Sequence, residues 1–463
     1  MPDSDIVIRE VQYFFSDEKA REPLKFGAVV VDEATYCHVR VRVENRKGRS
    51  AVGWGAIFLV DFWAFPSKVV EHTQRDKAMR LCVEKLCALA QDRGEFGHPI
   101  DLYLPIEEKL PEVGAEITQE MGLAEPFPFL AGLVCGSPID AALHDAFGIA
   151  NGISSYDGYA PPYMVRDLGA YLGPELKGRH LGDFVQPRFA SPLPAFHLVG
   201  GLDYLRAADV PATAPKDGLP NSLDRWIERD GLSCLKVKLR GTDLDWDVSR
   251  LLEVHRIARE VQDVQRRTDL YMSADTNEQC EHPDYIIEML EKVREADHRA
   301  FDAILYIEQP TERDLNAQRH DMRKLAAIKP VIIDESLMTF DDFNLCVELG
   351  WSGIALKSCK GHSMALLFAA KAEHLGLPYT VQDLTNPGIS LIHSAGLAAR
   401  LRPMKGVESN SRQYFPETSA PEQDVHPGVF TLLDGSMNLN TLGNTGLGYR
   451  VEAIKRDTFR ETP

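Results

Sequence analysis

The sequence predicts an α/β protein: a TIM-type (β/α) barrel with an N-terminal α+β capping domain that the C-terminal segment completes. Three observations point there. From about residue 190, short apolar runs alternate with helical segments about eight times, the signature of parallel strands joined by helical crossovers. Those runs repeatedly end on an ionisable residue. The first part of the chain has a different texture, alternating as antiparallel strands do. The expected divisions are 1–140 for the capping domain, 141–415 for the barrel and 416–463 for a segment packing back on the cap.

Val39, Val41 and Val43 alternate with His38, Arg40 and Arg42, a period of two that buries one face of a strand. Residues 45–49 carry turn chemistry, and 51–56 resume an extended pattern. A helix follows with Ala78, Cys82, Leu86 and Leu89 on one face. A second helix is expected to begin at Ser137-Pro138, a capping side chain followed by a proline that needs no partner in a first turn. It carries Ile139, Ala142, Leu143 and Ala146, and Gly148 with Asn151-Gly152 stops it. The barrel strands are expected at 196–199, 235–239, 270–275, 303–308, 331–334, 353–357, 379–383 and 406–408. That many consecutive repeats suit a closed barrel better than an open sheet. The stretch rich in proline near 211–220 reads as an excursion after the first barrel strand.

The 463 residues suffice for two or three domains, or for one large barrel with a companion. Lys and Arg number 51 against 69 Asp and Glu, a formal charge of −18, which argues against a nucleic-acid partner. The N-terminus has acids where a signal peptide has basic residues, and no run approaches the roughly 18 to 20 apolar residues of a membrane span. The eight cysteines never form a Cys-x-x-Cys pair, which points to isolated thiols rather than disulfides or structural zinc. A cytoplasmic protein without a membrane or nucleic-acid partner is the expectation.

The chemistry lies at the strand ends: Lys238, Asp275, Glu308, Asp334, Lys357, Asp383 and Glu408. One charged strand end is ordinarily a solvated loop start. Seven in succession on one rim of a parallel barrel, where active sites are built, are not. Asp275, Glu308 and Asp334 would converge from three consecutive strands, and three carboxylates without a cation would be driven to protonate. An all-oxygen set suits Mg²⁺, with Mn²⁺ an equal chemical match, and the absence of His and Cys speaks against zinc. Lys238 and Lys357 flank the trio from opposite sides of the barrel. Lys236 shares the strand face of Lys238 and is expected to ease a neighbouring lysine's deprotonation through like charge.

Lys236-Val-Lys238, Asp275-Thr-Asn277, Glu308-Gln309-Pro310, Asp334-Glu335-Ser336 and Leu356-Lys357, in this order, resemble the enolase superfamily in its muconate-lactonizing-enzyme-like branch. Gly53-Trp54-Gly55 is similar to the family's capping domain, and residues 137–148 to the helix that leads into its barrel. The resemblance implies abstraction of the proton α to a substrate carboxylate through a metal-stabilised enolate. It implies Asp275, Glu308 and Asp334 as metal ligands, Lys238 and Lys357 as the acid/base pair, and Lys236 as electrostatic helper. Asn277 and Glu335 would support the metal rim, and Asp383 and Glu408 the substrate. Segments 19–26 and 54–65 would form the lid, and the chain would assemble as a homo-oligomer.

Racemisation or epimerisation of a small-molecule carboxylate is the leading expectation. Dehydration or other elimination from an acid sugar, and cycloisomerisation, remain open on the same residues, as does a non-catalytic binding barrel. The His and Asp dyad of mandelate-racemase-like members is absent. Gly361-His362 stands where paired glycines are common, so His362 either donates a proton in the site or sits in a helix-entry turn. Segment 203–221 is longer than expected. Glu408-Ser409-Asn410 replaces the Asp-x-Asp that would bind a dipeptide amine.

Overall fold

The computed structural model describes residues 2–26 and 29–460, with side chains for all of these but 24–26 and 29–31. Strands β1 (Ile6–Phe26), β2 (Val29–Asn45) and β3 (Ser50–Leu59) form an antiparallel sheet in that order. The alternation of Val39, Val41 and Val43 buries these side chains, as the period of two requires. Asn45 closes the β2–β3 turn, its Oδ1 accepting from the backbone N–H groups of Lys47 and Arg49 at 3.0 Å each.

A helix over His72–Gln91 carries Ala78, Cys82 and Leu86 into the core. The helix expected to start at Ser137-Pro138 instead runs from Phe129 to Asn151, with Pro138 inside it, and so spans residue 140, where the capping domain is expected to end. The physical reason is local. Pro138 offers no N–H to the carbonyl of Val134, but the hydroxyl of Ser137 donates to that oxygen at 2.8 Å. The apolar run before Ser137 then continues as helix. Gly53 and Gly55 explain how closely β3 lies on it. A Cβ at Gly53 would stand 2.3 Å from the carbonyl oxygen of Ala142, and one at Gly55 2.1 Å from that of Pro138.

The barrel is closed. Its strands are β4 (Leu193–Val199), β5 (Cys234–Lys238), β6 (Tyr271–Asp275), β7 (Ile304–Glu308), β8 (Val331–Ile333), β9 (Gly353–Lys357), β10 (Tyr379–Gln382) and β11 (Val407–Glu408). Neighbours pair in parallel throughout, and β11 pairs with β4 to complete the ring. Phe196, Cys234, Tyr306, Ile332 and Ala355 cluster as an apolar layer.

The C-terminal part touches both the barrel and the first sheet. A short strand β12 (Ser436–Met437) pairs antiparallel with β4. Further on, Leu447 N–H donates to Asp145 Oδ1 at 2.8 Å, and the Phe459 ring lies 4.8 Å from that of Trp54. The eight cysteines are buried free thiols, and no helix among the described residues is long and apolar enough to cross a membrane.

Candidate active site

Strand register brings the ionisable residues together. Lys238 pairs with Asp275, and Asp275 with Glu308, across β5, β6 and β7. Asp334 follows β8, Lys357 ends β9 opposite Gln382, and Glu408 ends β11. Because β5 and β9 are the second and sixth of eight barrel strands, their lysines rise from opposite sides of the ring.

The carboxylates are held by ammonium groups. Lys236 Nζ lies 2.7 Å from Glu308 Oε1, 2.9 Å from Glu408 Oε2 and 3.2 Å from Asp275 Oδ2. Lys238 Nζ stands 2.5 Å from Asp275 Oδ2, and Lys357 Nζ 2.7 Å from Asp334 Oδ2. Lys360, which sequence reasoning missed, places its Nζ 3.3 Å from Asp334 Oδ1 and 2.5 Å from that residue's carbonyl oxygen. Its only sequence signal is an i, i+3 spacing from Lys357.

Burial alone would raise Asp275, but Lys238 and Lys236 hold it down at about 2. Glu308 is pushed up to about 8, by burial and by Asp275 and Asp334, against the pull of Lys236. Burial and the neighbouring Asp334 raise Glu335 to about 7, and burial and Glu408 raise Asp383 to about 8. The like charge of Lys236 presses Lys357 toward the neutral amine, as expected, without deciding its balance. Burial works in that direction on Lys357, but Asp334 outweighs it and raises the lysine; Lys236 is likewise raised by Glu308, Glu408 and Asp275.

Amide and aromatic side chains fix the rim. Gln309 Oε1 accepts from Asp334 N–H at 2.9 Å while its Nε2 donates to Ser336 Oγ at 2.8 Å. Gln382 Nε2 donates to Glu308 Oε2 at 2.7 Å, and Asn277 N–H to Asp275 Oδ1 at 2.8 Å. Asn277 thus touches Asp275 through its backbone. Asn410 N–H reaches Asp383 Oδ2 at 3.3 Å. Trp63 Nε1 donates to Glu335 Oε1 at 2.9 Å, and Lys357 Nζ lies 4.8 Å from the centre of its ring.

Of the two expected lid segments, the second reaches the site through Val60, Phe62 and Trp63, whereas Trp54 packs away from it against Phe459. Asp61–Ala64 forms the short helix that presents them, tied down by Arg75 Nε donating to Asp61 Oδ2 at 2.7 Å. Arg313 donates to the Trp63 carbonyl oxygen at 3.1 Å and pairs with Glu278 on the barrel side. In the first segment, Arg21, Glu22 and Pro23 line a neighbouring cavity, and the side chains of 24–26 lie outside the described residues. His362 takes the helix-entry position of His362–Leu375. It is fully buried, 2.7 Å from Tyr159 OH and 2.8 Å from His393 Nε2, and does not line the catalytic pocket.

Among the described residues, no three His, Cys, Asp or Glu side chains form a group arranged to hold a metal ion as they stand. Lysine ammonium groups occupy the faces that the carboxylates would turn to one. The donor set nevertheless fits a hard divalent cation. Six carboxyl groups, Asp275, Glu308, Asp334, Glu335, Asp383 and Glu408, meet four ammonium groups, Lys236, Lys238, Lys357 and Lys360. Fully ionised, they leave two negative charges in excess, which a divalent cation would offset.

The family model of the enolase C-terminal domain-like proteins matches residues 219–455, just over half of the chain. No curated protein matches. Among solved structures, the chain is similar to a substrate-liganded L-Ala-D/L-Glu epimerase from Bacillus subtilis, with 18% identity, coverage of 96% and 98% of the two chains, and a TM-score of 0.62. It is similar to an enolase from Bradyrhizobium complexed with magnesium and mandelic acid (17%, 96% and 95%, TM-score 0.61). A muconate lactonizing enzyme from Pseudomonas fluorescens complexed with muconolactone is a further likeness (17%, 96% and 96%, TM-score 0.59). On the family match and the closed, capped barrel together, the chain belongs to the enolase superfamily of enzymes, among the relatives of mandelate racemase and muconate lactonizing enzyme.

Proposed function

We propose that the protein racemises or epimerises a small-molecule carboxylate, removing the α-proton with one of Lys238 and Lys357 and returning it with the other. The observation that carries this reading is their placement on the second and sixth strands of the ring, facing one pocket from opposite sides. A base on each face of an α-carbon is what inversion needs.

Asp275, Glu308 and Asp334 are the residues assigned to hold Mg²⁺ or Mn²⁺. The solved structures from Bradyrhizobium and from Enterococcus faecalis, the latter a dipeptide epimerase, are complexed with magnesium. When bound, the cation supplies Lewis-acid stabilisation of the charge that develops on the substrate carboxylate. Lys238 and Lys357 hold and move the proton. Each is ion-paired to one of the assigned ligands, so a lysine whose carboxylate is engaged elsewhere parts with its proton more readily. Lys236 and Gln382 keep Glu308 in place from two sides. Trp63 and Phe62 close the pocket from the cap and keep water from the reacting carbon.

The test is exchange of the substrate α-proton in D₂O across a library of chiral carboxylates. Exchange that disappears with EDTA, and that Lys238→Ala loses from one antipode, supports the proposal. Exchange by no member of the library would favour a binding barrel, and elimination or ring closure in place of exchange would identify a lyase or cycloisomerase.

A further inference from the structure

Between the capping domain and the outer helices of the barrel lies a cavity of about 800 Å³ that shares no lining residue with the catalytic pocket. Helix Pro99–Glu107 forms one wall, and Thr339 and Phe340, where helix Phe340–Glu348 begins, form another. Met364 and Leu367 of helix His362–Leu375 close it from the barrel side. Eight of its fourteen lining residues are apolar, five are polar or charged, and Tyr171 is both, a composition that suits an organic body with one polar end.

The charges of this lining are one-sided. Arg166 is its single base, and Nη1 of Arg166 is bound to Asp101 Oδ1 at 2.7 Å, where Tyr171 OH also donates at 2.7 Å. Glu107 and Glu108 are left with no base in the lining. Helix Pro99–Glu107 ends on them, its last carbonyls add partial negative charge, and its last turn carries no basic residue. Lys109, next along the chain, is committed to Glu112 at 2.7 Å and does not line the cavity.

Glu107 is the residue that asks for a partner. It is 9% exposed, and its Oε2 is buried without a hydrogen-bond partner. Behind it the surroundings are acidic too. A Cβ at Gly361 would stand 3.4 Å from Asp140 Oδ2 and 3.7 Å from both Glu107 Oε2 and the Tyr103 ring, and Tyr103 OH has no partner either. Burial, with Asp140 and Glu108 beside it, pushes Glu107 up to about 8. A carboxyl group this deep, with neither a base nor a donor, is uncompensated by the protein itself.

We propose that this cavity is a second ligand site, which takes an organic monoammonium ion: an apolar body of about the size of an aromatic ring lies among Phe129, Phe340, Met364 and Leu367, and its ammonium donates to Glu107. The inference stands on this space alone and is independent of the reaction at the strand ends. An anion would meet two acids and no available base. A bare divalent cation needs more oxygen ligands than two acids supply, and among the described residues no three acids, histidines or cysteines are grouped to hold one.

The test compares 2-phenylethylammonium with 2-phenylethanol, its neutral match in shape, by calorimetry and ligand-observed NMR at pH 8 in the presence of Mg²⁺. The wild-type protein is expected to bind the amine at least about tenfold more tightly than the alcohol. Glu107→Gln keeps the size of the side chain and is expected to bring the amine down to the level of the alcohol. Ala170→Trp, from an exposed position in the lining, is expected to fill the space and weaken both about tenfold or more. Thermal unfolding shows whether each variant is folded, and the preference for amine over alcohol in the wild-type protein needs neither variant. No binding of the amine, equal affinity for amine and alcohol, or an amine affinity within about twofold of wild type in either folded variant would overturn the inference. Self-association that Ala170→Trp abolishes in sedimentation, with no amine bound by the wild type, would assign the space to a second copy of the chain and overturn it as well.

Discussion

Lys357 Nζ lies 2.7 Å from Asp334 Oδ2, and the other oxygen of the same carboxylate lies 3.3 Å from Lys360 Nζ. One buried acid thus stands between two buried ammonium groups, both under the ring of Trp63, at 4.8 and 5.5 Å from its centre. Lys360 also donates to the carbonyl oxygens of Asp334 and Leu337. It anchors the loop after β8 while Lys357 remains at the strand end.

Lys360→Met is expected to destabilise the protein by about 3 kcal/mol, the order found when one partner of a buried ion pair is removed. Urea unfolding at pH 7 measures it. A change under about 1 kcal/mol would show that Asp334 is adequately held by Lys357 alone.

Asp275→Asn and Glu308→Gln are expected to weaken Mg²⁺ or Mn²⁺ binding about a hundredfold while circular dichroism stays close to wild type. Each change keeps the side chain's size and removes one negative charge from a cation site. Calorimetric titration with each metal reads the loss. Unchanged affinity in a folded variant would remove that residue from the ligand set.

Gln309→Leu takes away the acceptor for the N–H groups of Asp334 and Ser336. Leaving buried donors unpaired costs about 1–3 kcal/mol each. The variant is expected to lose about 2–4 kcal/mol in chemical denaturation and to show a lower kcat, because Asp334 is no longer fixed relative to Glu308.

Two buried histidines are expected to withdraw stability as pH drops from about 6.5 to 4, against the raised Glu308, Glu335 and Asp383, which contribute in the opposite sense. Burial lowers His393 to about 4 and His98 to about 3, so between those values and 6.5 the unfolded chain binds more protons than the folded one. His393's contribution is therefore complete above the unfolded value and is lost as pH falls through the folded one. It amounts to about 3 kcal/mol. In His393→Gln, which retains a donor toward His362, acidification over this range should cost less Tm than it costs the wild-type protein. An identical slope would show that His393 stays accessible to protons in the folded state.

The strand ends were legible in the sequence because a buried parallel strand is apolar until it leaves the barrel, so Lys238, Asp275, Glu308, Lys357 and Glu408 stood out against their own runs. Lys236 was legible for the same reason, lying two residues before Lys238 on the inward face. What escaped was whatever depends on contacts between distant segments. Nothing local marks Gln309 as the clamp on Asp334, or Trp63 as the donor to Glu335 from 272 residues away. Ser137-Pro138 misled because a hydroxyl that caps helices also satisfies the carbonyl a proline abandons. His362 carried two readings that only its partners, Tyr159 and His393, separate.

Whether two lysines serve opposite faces is read stereochemically: α-proton exchange in D₂O, followed by NMR for each antipode of a turned-over carboxylate, in Lys238→Ala and in Lys357→Ala. Each variant is expected to lose exchange from one antipode while retaining it from the other, in opposite senses, with both dependent on metal. Exchange of both antipodes persisting in either variant would contradict a two-lysine mechanism.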